Sequence, residues 1–143
     1  MIGVYEDHGI RFEYPPAWEV EEDDEGPVTT VSVHAPDGMA FALVRIDESR
    51  PSPAEVADEA LDAMRDEYPD MDASPVLETI DGHKAIGHDV AFFSFDMTNS
   101  CSIRCYQTSR HTVLLFGQWS ELDADESQSA LRTLRRSVSE LDD

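Results

Sequence analysis

Val113-Leu114-Leu115-Phe116 is a run of four apolar residues in a chain of 143. Successive side chains of a β-strand point to opposite faces of the sheet, so a strand here has apolar groups on both faces. A strand of this kind is covered on both sides. We therefore expect a layered fold in which this strand is central and Leu115 is fully buried.

The segments around this run predict an antiparallel sheet. Cys101–Thr108 can pair with the central strand through a turn at residues 109–111. Asp37-Gly38 and Asp81-Gly82 are typical of tight hairpin turns. The expected strands are Ile10–Tyr14, Trp18–Asp23, Val28–His34, Met39–Ile46, Val76–Ile80, Lys84–Phe95 (with Gly87 as a bulge or bend), Cys101–Thr108 and Thr112–Trp119.

Two helices are expected between and after these strands. Ser52 can cap the first helix, Pro53 suits its first position, and Glu55 completes a capping box. Pro69 ends it. Asp123 is expected to cap the second helix, whose apolar face carries Leu131, Leu134, Val138 and Leu141.

The order is thus about β4-α-β4-α in one domain, residues 1–143. Because tight turns join antiparallel strands, the fold class is α+β.

The charge of the chain excludes several functions. Ten Lys and Arg stand against 31 Asp and Glu, so the net charge is −21. Such a surface repels phosphates, which argues against nucleic acid and anionic membranes as partners. The acids are spread along the chain and Lys84 is its one lysine. This pattern is typical of a salt-accumulating cytoplasm, although an acidic protein of ordinary cells, or a surface that meets a basic partner, would also show it.

The start of the chain predicts a cytoplasmic address. Residues 1–7 have neither a basic start nor a long apolar stretch, so no signal peptide or lipid anchor is expected.

Cys101 and Cys105 lie four residues apart, which places them on one face of a strand about 13 Å apart. A disulfide needs Cα atoms within about 7 Å, so two free, buried thiols are predicted.

The common catalytic and metal-binding motifs fail in this sequence. Asp123-x-Asp125-x-Ser127 begins like a calcium-binding loop, but Gln128 and Leu134 stand where the loop needs Gly and Glu. His111 and Cys105 are predicted to lie too far apart for a nucleophile and its base. The five histidines show no metal-ligand spacing. We therefore predict no catalytic residue, metal ligand or cofactor.

Phe12-Glu13-Tyr14-Pro15-Pro16-Ala17-Trp18 resembles the opening segment, aromatic-x-Tyr-Pro-x-x-Trp, of bacterial and archaeal members of the PsbP-like superfamily. Residues 80–85 are similar to the mid-chain hairpin of that family, and residues 113–138 to its closing strand and helix. The resemblance implies a central antiparallel sheet between helices, and proteins that act by binding. Members include an extrinsic photosystem II subunit, a nuclear-import factor that binds a small GTPase, and many lipoproteins. No functional residue transfers from them.

The remaining candidates are aromatic and arginine side chains near strand ends, since Trp, Tyr and Arg are enriched in binding hot spots. We expect a non-enzymatic binding or protein-interaction module, monomeric or homodimeric. An enzyme with an unrecognised small-ligand or metal site, and a structural homodimer subunit, are the alternatives. The candidate contact residues are Arg11, Tyr14, Trp18, Arg104, Tyr106 and Trp119.

Overall fold

The computed structural model describes residues 2–36, 39–123 and 125–141, so the predicted Asp37-Gly38 turn lies outside the described residues. Ten strands and two helices are assigned within these ranges. They are β1 (Gly3–Asp7), β2 (Ile10–Tyr14), β3 (Glu19–Glu25), β4 (Val28–His34), β5 (Phe41–Asp47), α1 (Pro53–Glu67), β6 (Asp72–Ile80), β7 (His83–Ser94), β8 (Met97–Gln107), β9 (Thr112–Ser120), α2 (Asp125–Ser137) and β10 (Ser139–Glu140).

The main sheet has seven antiparallel strands in the order β3-β4-β5-β9-β8-β7-β6. The apolar run of β9 occupies the middle position, as its sequence predicts. Leu115 is 4% exposed and belongs to the core on one face, whereas Leu114 belongs to the core on the other. Both faces are therefore covered, which confirms the layered fold.

Helix α1 covers one face of this sheet. The Ser52 side chain accepts a hydrogen bond from the Glu55 amide, and Pro53 opens the helix, as predicted. Ala57 and Leu61 then pack on the buried face of β7 and β8. Cys101 and Cys105 lie in the same core, and both thiols are free, which confirms that prediction.

Helix α2 and a second, three-stranded sheet, β1-β2-β10, cover the other face. Phe12 from β2 is fully buried there with Leu131 and Leu134 from α2. Within the described residues, neither helix is long and apolar enough to cross a membrane.

The strand order differs from the predicted β4-α-β4-α at both ends. Five strands precede α1, because Gly3–Asp7 pairs with β2, and β10 follows α2 and pairs with the other side of β2. The bulge expected at Gly87 is wrong, since the pairing of β7 with β8 runs through Gly87 without interruption.

Asp123 has a different role from the expected helix cap. Its carboxylate accepts hydrogen bonds from the amides of Met39, Ala40 and Ser120. The side chain thus ties the end of β9 to the segment before β5, two residues ahead of the first residue of α2.

Candidate functional site

A groove lies on the face of the main sheet that α2 only partly covers. Helix α2 packs mainly against β2 and β9, leaving the same face of β6, β7 and β8 open at its side. The groove has a volume of about 420 Å³. Its lining residues are Asp72, Ser74, Asp89, Val90, Ala91, Ser100, Cys101, Ser102, Arg104, Trp119, Gln128, Leu131, Arg132 and Arg135.

The alternation of side chains along β8 makes the floor of the groove polar. Cys101 and Ile103 point into the core under α1. Ser100, Ser102 and Arg104 occupy the alternate positions and therefore face the opposite way, into the groove. One strand thus supplies an apolar layer to one face and a row of hydroxyl and guanidinium groups to the other.

Arg104 is held rigidly although it is only 4% exposed. Its Nε donates to Glu78 Oε1 over 3.0 Å, and its Nη2 lies 2.8 Å from Asp89 Oδ1. Its Nη1 donates to the carbonyl oxygens of His88 and Ile103. A buried arginine is tolerated only when its charge and donors are satisfied, and two carboxylates and two carbonyls do so here.

Glu78 links the floor of the groove to α2. Its second carboxylate oxygen accepts from Arg135 Nε over 3.1 Å, so the carboxylate bridges Arg104 and Arg135. Burial alone would raise the pKa of Glu78, but the hydrogen bonds from the two guanidinium groups bring that pKa below its usual value. Glu78 therefore stays ionised and fixes the position of α2 over the sheet.

The groove gathers arginines in a strongly negative chain, and Asp72 and Asp89 also line it. Three of the ten basic residues, Arg104, Arg132 and Arg135, line it. Arg104 and Arg135 are neutralised by Glu78 and Asp89. Arg132 is exposed, and the structure gives it no carboxylate partner among the described residues. Its guanidinium is thus available to a ligand.

Two nucleophile types in the groove lack activation by a neighbouring imidazole or by a lowered pKa. None of the described residues that line it is a histidine, so the hydroxyls of Ser100 and Ser102 have no imidazole base. The thiol of Cys101 is directed away from the groove, and burial raises its pKa, which keeps it protonated and unreactive.

The structure brings two of the six predicted contact residues together, since Arg104 and Trp119 both line the groove. Tyr106 is 1% exposed in the core, stacked on His83, where no partner could reach it without a rearrangement. Trp18 also packs against that core.

The other two residues lie in the three-stranded sheet. Tyr14 lines a separate depression of about 480 Å³ between β2 and α2. The guanidinium of Arg11 is paired with Glu6 and Glu13. The six residues therefore do not form a single site.

Sequence reasoning missed most of the groove. Glu78 and Arg135 are 57 residues apart, so no local pattern connects them. One signal was available, because Ser100, Ser102 and Arg104 alternate with Cys101, Ile103 and Cys105. That alternation, in a strand whose two thiols are predicted to be buried, indicates a polar site on the opposite face of the sheet.

Comparisons with known proteins support the fold. No protein-family model matches the chain. No curated protein matches it in sequence. Solved structures do match. Cyanobacterial PsbP from Synechocystis sp. PCC 6803 superposes with a TM-score of 0.61 at 16% identity, covering 98% of this chain and 92% of that protein.

Two further structures are similar. LpqN of Mycobacterium tuberculosis, described as involved in cell envelope biogenesis, has a TM-score of 0.60 at 14% identity, covering 97% of this chain and 90% of that one. A protein of Bacteroides thetaiotaomicron has a TM-score of 0.60 at 10% identity. This chain is covered to 94% in that match but spans only 46% of the Bacteroides chain. The fold is therefore PsbP-like.

Proposed function

We propose that this protein is a non-enzymatic binding module, and that its groove takes a small molecule carrying a carboxylate group. The exposed guanidinium of Arg132 carries the proposal, because it is the groove arginine without an ion-pair partner in the described structure. A guanidinium fork matches the two oxygens of a carboxylate. The hydroxyls of Ser100 and Ser102 can add hydrogen bonds to the polar remainder of the ligand.

The rigid base of the groove supports this proposal. Arg104, Glu78 and Arg135 hold one another in place before any ligand arrives, so little ordering is needed on binding. The volume of about 420 Å³ is within the usual range for small-molecule sites.

The experiment is a two-dimensional amide NMR titration with a panel of small carboxylates, namely succinate, citrate and glutamate. We expect shifts confined to β7, β8 and α2 for at least one probe. Arg132→Ala should weaken that binding about tenfold, the usual effect of losing a charge-assisted hydrogen bond. Arg136→Ala is the matched control, because Arg136 is exposed on the same helix but does not line the groove.

If Arg132→Ala and Arg136→Ala weaken the affinity for the carboxylate equally, the carboxylate is attracted only by the overall charge of α2 and not by a specific contact with Arg132. Shifts spread over the whole surface, or no shifts at millimolar concentrations, would remove the groove as the ligand site for this chemistry.

A protein-interaction role is the second candidate, favoured by an aromatic surface at the tip of the β7–β8 hairpin. Phe93 is 68% exposed and Phe95 82% exposed. Phe95 also has a φ of 54°, a strained conformation for a bulky residue. Leu122, 75% exposed, follows Glu121, whose amide donates to Thr98 beside this hairpin. Exposed apolar groups gathered in this way are typical of protein contacts.

Replacing two of these exposed apolar side chains distinguishes the protein-interaction role from carboxylate binding in the groove. Phe93→Ser with Leu122→Ser should abolish capture of a partner from native extract at native salt if the hairpin is the interaction surface. The same variant should leave the carboxylate titration of the groove unchanged.

The charge supports a cytoplasm rich in salt as the setting of either role. A net charge of −21 is tolerated when concentrated salt shortens the range of the repulsion. Whether the binding unit is a monomer or a homodimer can be measured by sizing chromatography in high salt.

A further inference from the structure

A second cluster of polar groups lies far along the chain from the groove residues, where the turn between β1 and β2 meets the edge strand β3. His8 and Gly9 form the two-residue turn, and both have positive φ, 51° and 80°. Such a turn suits the twist of a hairpin, and Asn, Asp and His are the residues other than glycine that most often adopt its positive φ. It directs the His8 imidazole toward Glu22 and Asp24 of β3.

The imidazole Nε2 of His8 faces carboxylates. It contacts Glu22 Oε1 and lies 3.6 Å from Asp24 Oδ1 and 4.0 Å from Asp7 Oδ1. The ligand atoms of Asp7, His8 and Glu22 all lie within 4.8 Å of one another. Asp7 is oriented by its own Oδ1, which accepts from the His8 amide over 2.8 Å.

Thr29 determines which imidazole nitrogen carries a proton. Its hydroxyl is buried and donates its one proton to Asp24 Oδ1 over 2.8 Å. The remaining contact, 3.4 Å from Thr29 Oγ1 to His8 Nδ1, therefore requires the proton on Nδ1. Nε2 is then the ring nitrogen that faces the carboxylate oxygens of Glu22, Asp24 and Asp7.

Tyr5 adds an unused donor beside the same carboxylates. Its hydroxyl oxygen is buried close to Glu22, and no partner meets full hydrogen-bond geometry with it. The hydroxyl can therefore donate to a further oxygen ligand at the cluster.

We propose that Asp7, His8 and Glu22, with Asp24 as a fourth donor, bind a divalent transition-metal ion. One imidazole nitrogen and several carboxylate oxygens suit Zn²⁺ or Mn²⁺ rather than Mg²⁺ or Ca²⁺, which take oxygen ligands. The hydrogen bond from Nδ1 to Thr29 is the outer contact that metal-bound histidines need. The side chains of His8 and Glu22 are about one-third exposed, at 31% and 33%, so an ion has access.

The test is a calorimetric titration of the chelator-treated full chain with Zn²⁺ in about 1 M potassium nitrate, which screens non-specific attraction to the acidic surface. We expect one site per chain. Glu22→Gln and His8→Asn should each weaken it at least tenfold, and asparagine tolerates the positive φ of position 8. Glu21→Gln is the matched control, because it removes one charge from the same strand on the opposite face, and it should leave the affinity within twofold.

Mn²⁺ provides an independent readout by broadening nearby amide signals in NMR spectra. Broadening confined to residues 5–9, 22–24 and 29 supports the site. Broadening along all acidic segments, equal effects of Glu21→Gln and Glu22→Gln, or no Zn²⁺ binding in nitrate would overturn it.

Discussion

At Gly87 the backbone of β7 lies directly against that of β8. A Cβ atom built on this glycine would stand 1.7 Å from the carbonyl oxygen of Ile103. The neighbouring atom belongs to the backbone, so it cannot move aside as a flexible side chain could. Glycine is therefore required here by close approach, not by the bulge that its position in a strand suggested.

Gly87→Ala should lower the free energy of unfolding by about 1–3 kcal/mol or more, since the added methyl group forces the two strands apart. Urea unfolding measures this. Gly26→Asn is the control, because no atom lies within 4 Å of a Cβ there and asparagine tolerates its φ of 63°. If both variants lose the same free energy of unfolding, the contact between the added methyl group and the Ile103 carbonyl oxygen does not destabilise the fold.

His111 is a buried titratable group whose environment opposes its charge. It is 5% exposed, and its Nδ1 and the Glu140 Oε2 lie 3.7 Å apart, each without a hydrogen bond. Burial lowers the pKa of His111. The charge of Glu140 and that of Glu48 act to raise the pKa, while Arg110 adds to the lowering. The folded protein thus binds the proton less readily than the unfolded chain does.

The pKa of His111 in the unfolded chain is about 6.5, the usual imidazole value. The free energy of unfolding should therefore fall as the pH drops below this value toward the lower pKa of His111 in the folded protein. Above that pH the contribution of neutral His111 is fully present. We expect the urea midpoint of the wild type to decrease more between pH 7.5 and 5.5 than that of His111→Gln. Both proteins should be measured in high salt, where the repulsion between carboxylates is screened. Identical pH dependence of the two would contradict this assignment.

Strand β9 is packed on both faces, because it lies in the middle of the main sheet and contributes to both cores. Leu115→Ala should cost about 2–5 kcal/mol, the range for buried leucines. Leu77→Ala on the edge strand β6, where the side chain is 66% exposed, should cost below about 0.5 kcal/mol. A loss under 1 kcal/mol for Leu115→Ala in urea unfolding would mean that the core collapses around the cavity.

The elements with strong local signals were predictable from the sequence. Helix α1 begins at Pro53 after Ser52, and the Asp81-Gly82 turn has the positive φ pair of a tight hairpin. The β7–β8 turn was not predictable, because Phe95 and Asp96 adopt positive φ without a glycine. Strand β1 was not predicted either, because His8-Gly9 is not one of the Asn-Gly or Asp-Gly pairs that indicate a tight hairpin turn.

The candidate sites show why pairing of distant segments is harder to predict than local structure. The groove depends on Glu78 reaching Arg135, and the metal cluster depends on His8 reaching Glu22. Neither contact has a local spacing in the sequence. Only the three-dimensional arrangement of β6 with α2, and of the β1–β2 turn with β3, brings these groups together.

Across the whole molecule, the acidic residues also protect the sheet from association. Edge strand β3 has six acids among its seven residues, and the side chains of most are exposed. The opposite edge strand, β6, contains Pro75, which lacks an amide donor. Charges and proline at edges prevent pairing with another chain. The acidity therefore has a structural use, yet it also leaves like charges crowded in the folded state.

This crowding predicts that stability rises with salt. With a net charge of −21, repulsion between carboxylates is large in dilute buffer and small in molar salt, where the screening length is about 3 Å. Unfolding separates the charges, so low salt favours the unfolded chain. We expect the thermal midpoint to rise markedly between 0.1 M and 2 M KCl.

Because salting-out of apolar groups acts in the same direction, the control is acidification toward pH 5 in low salt. Protonation of some carboxylates at that pH should reproduce part of the rise in the thermal midpoint. The rise should be clearest in His111→Gln, because this variant lacks the buried histidine whose protonation lowers stability. A high midpoint at 0.1 M KCl that does not change at 2 M would instead favour an acidic surface made for a basic partner.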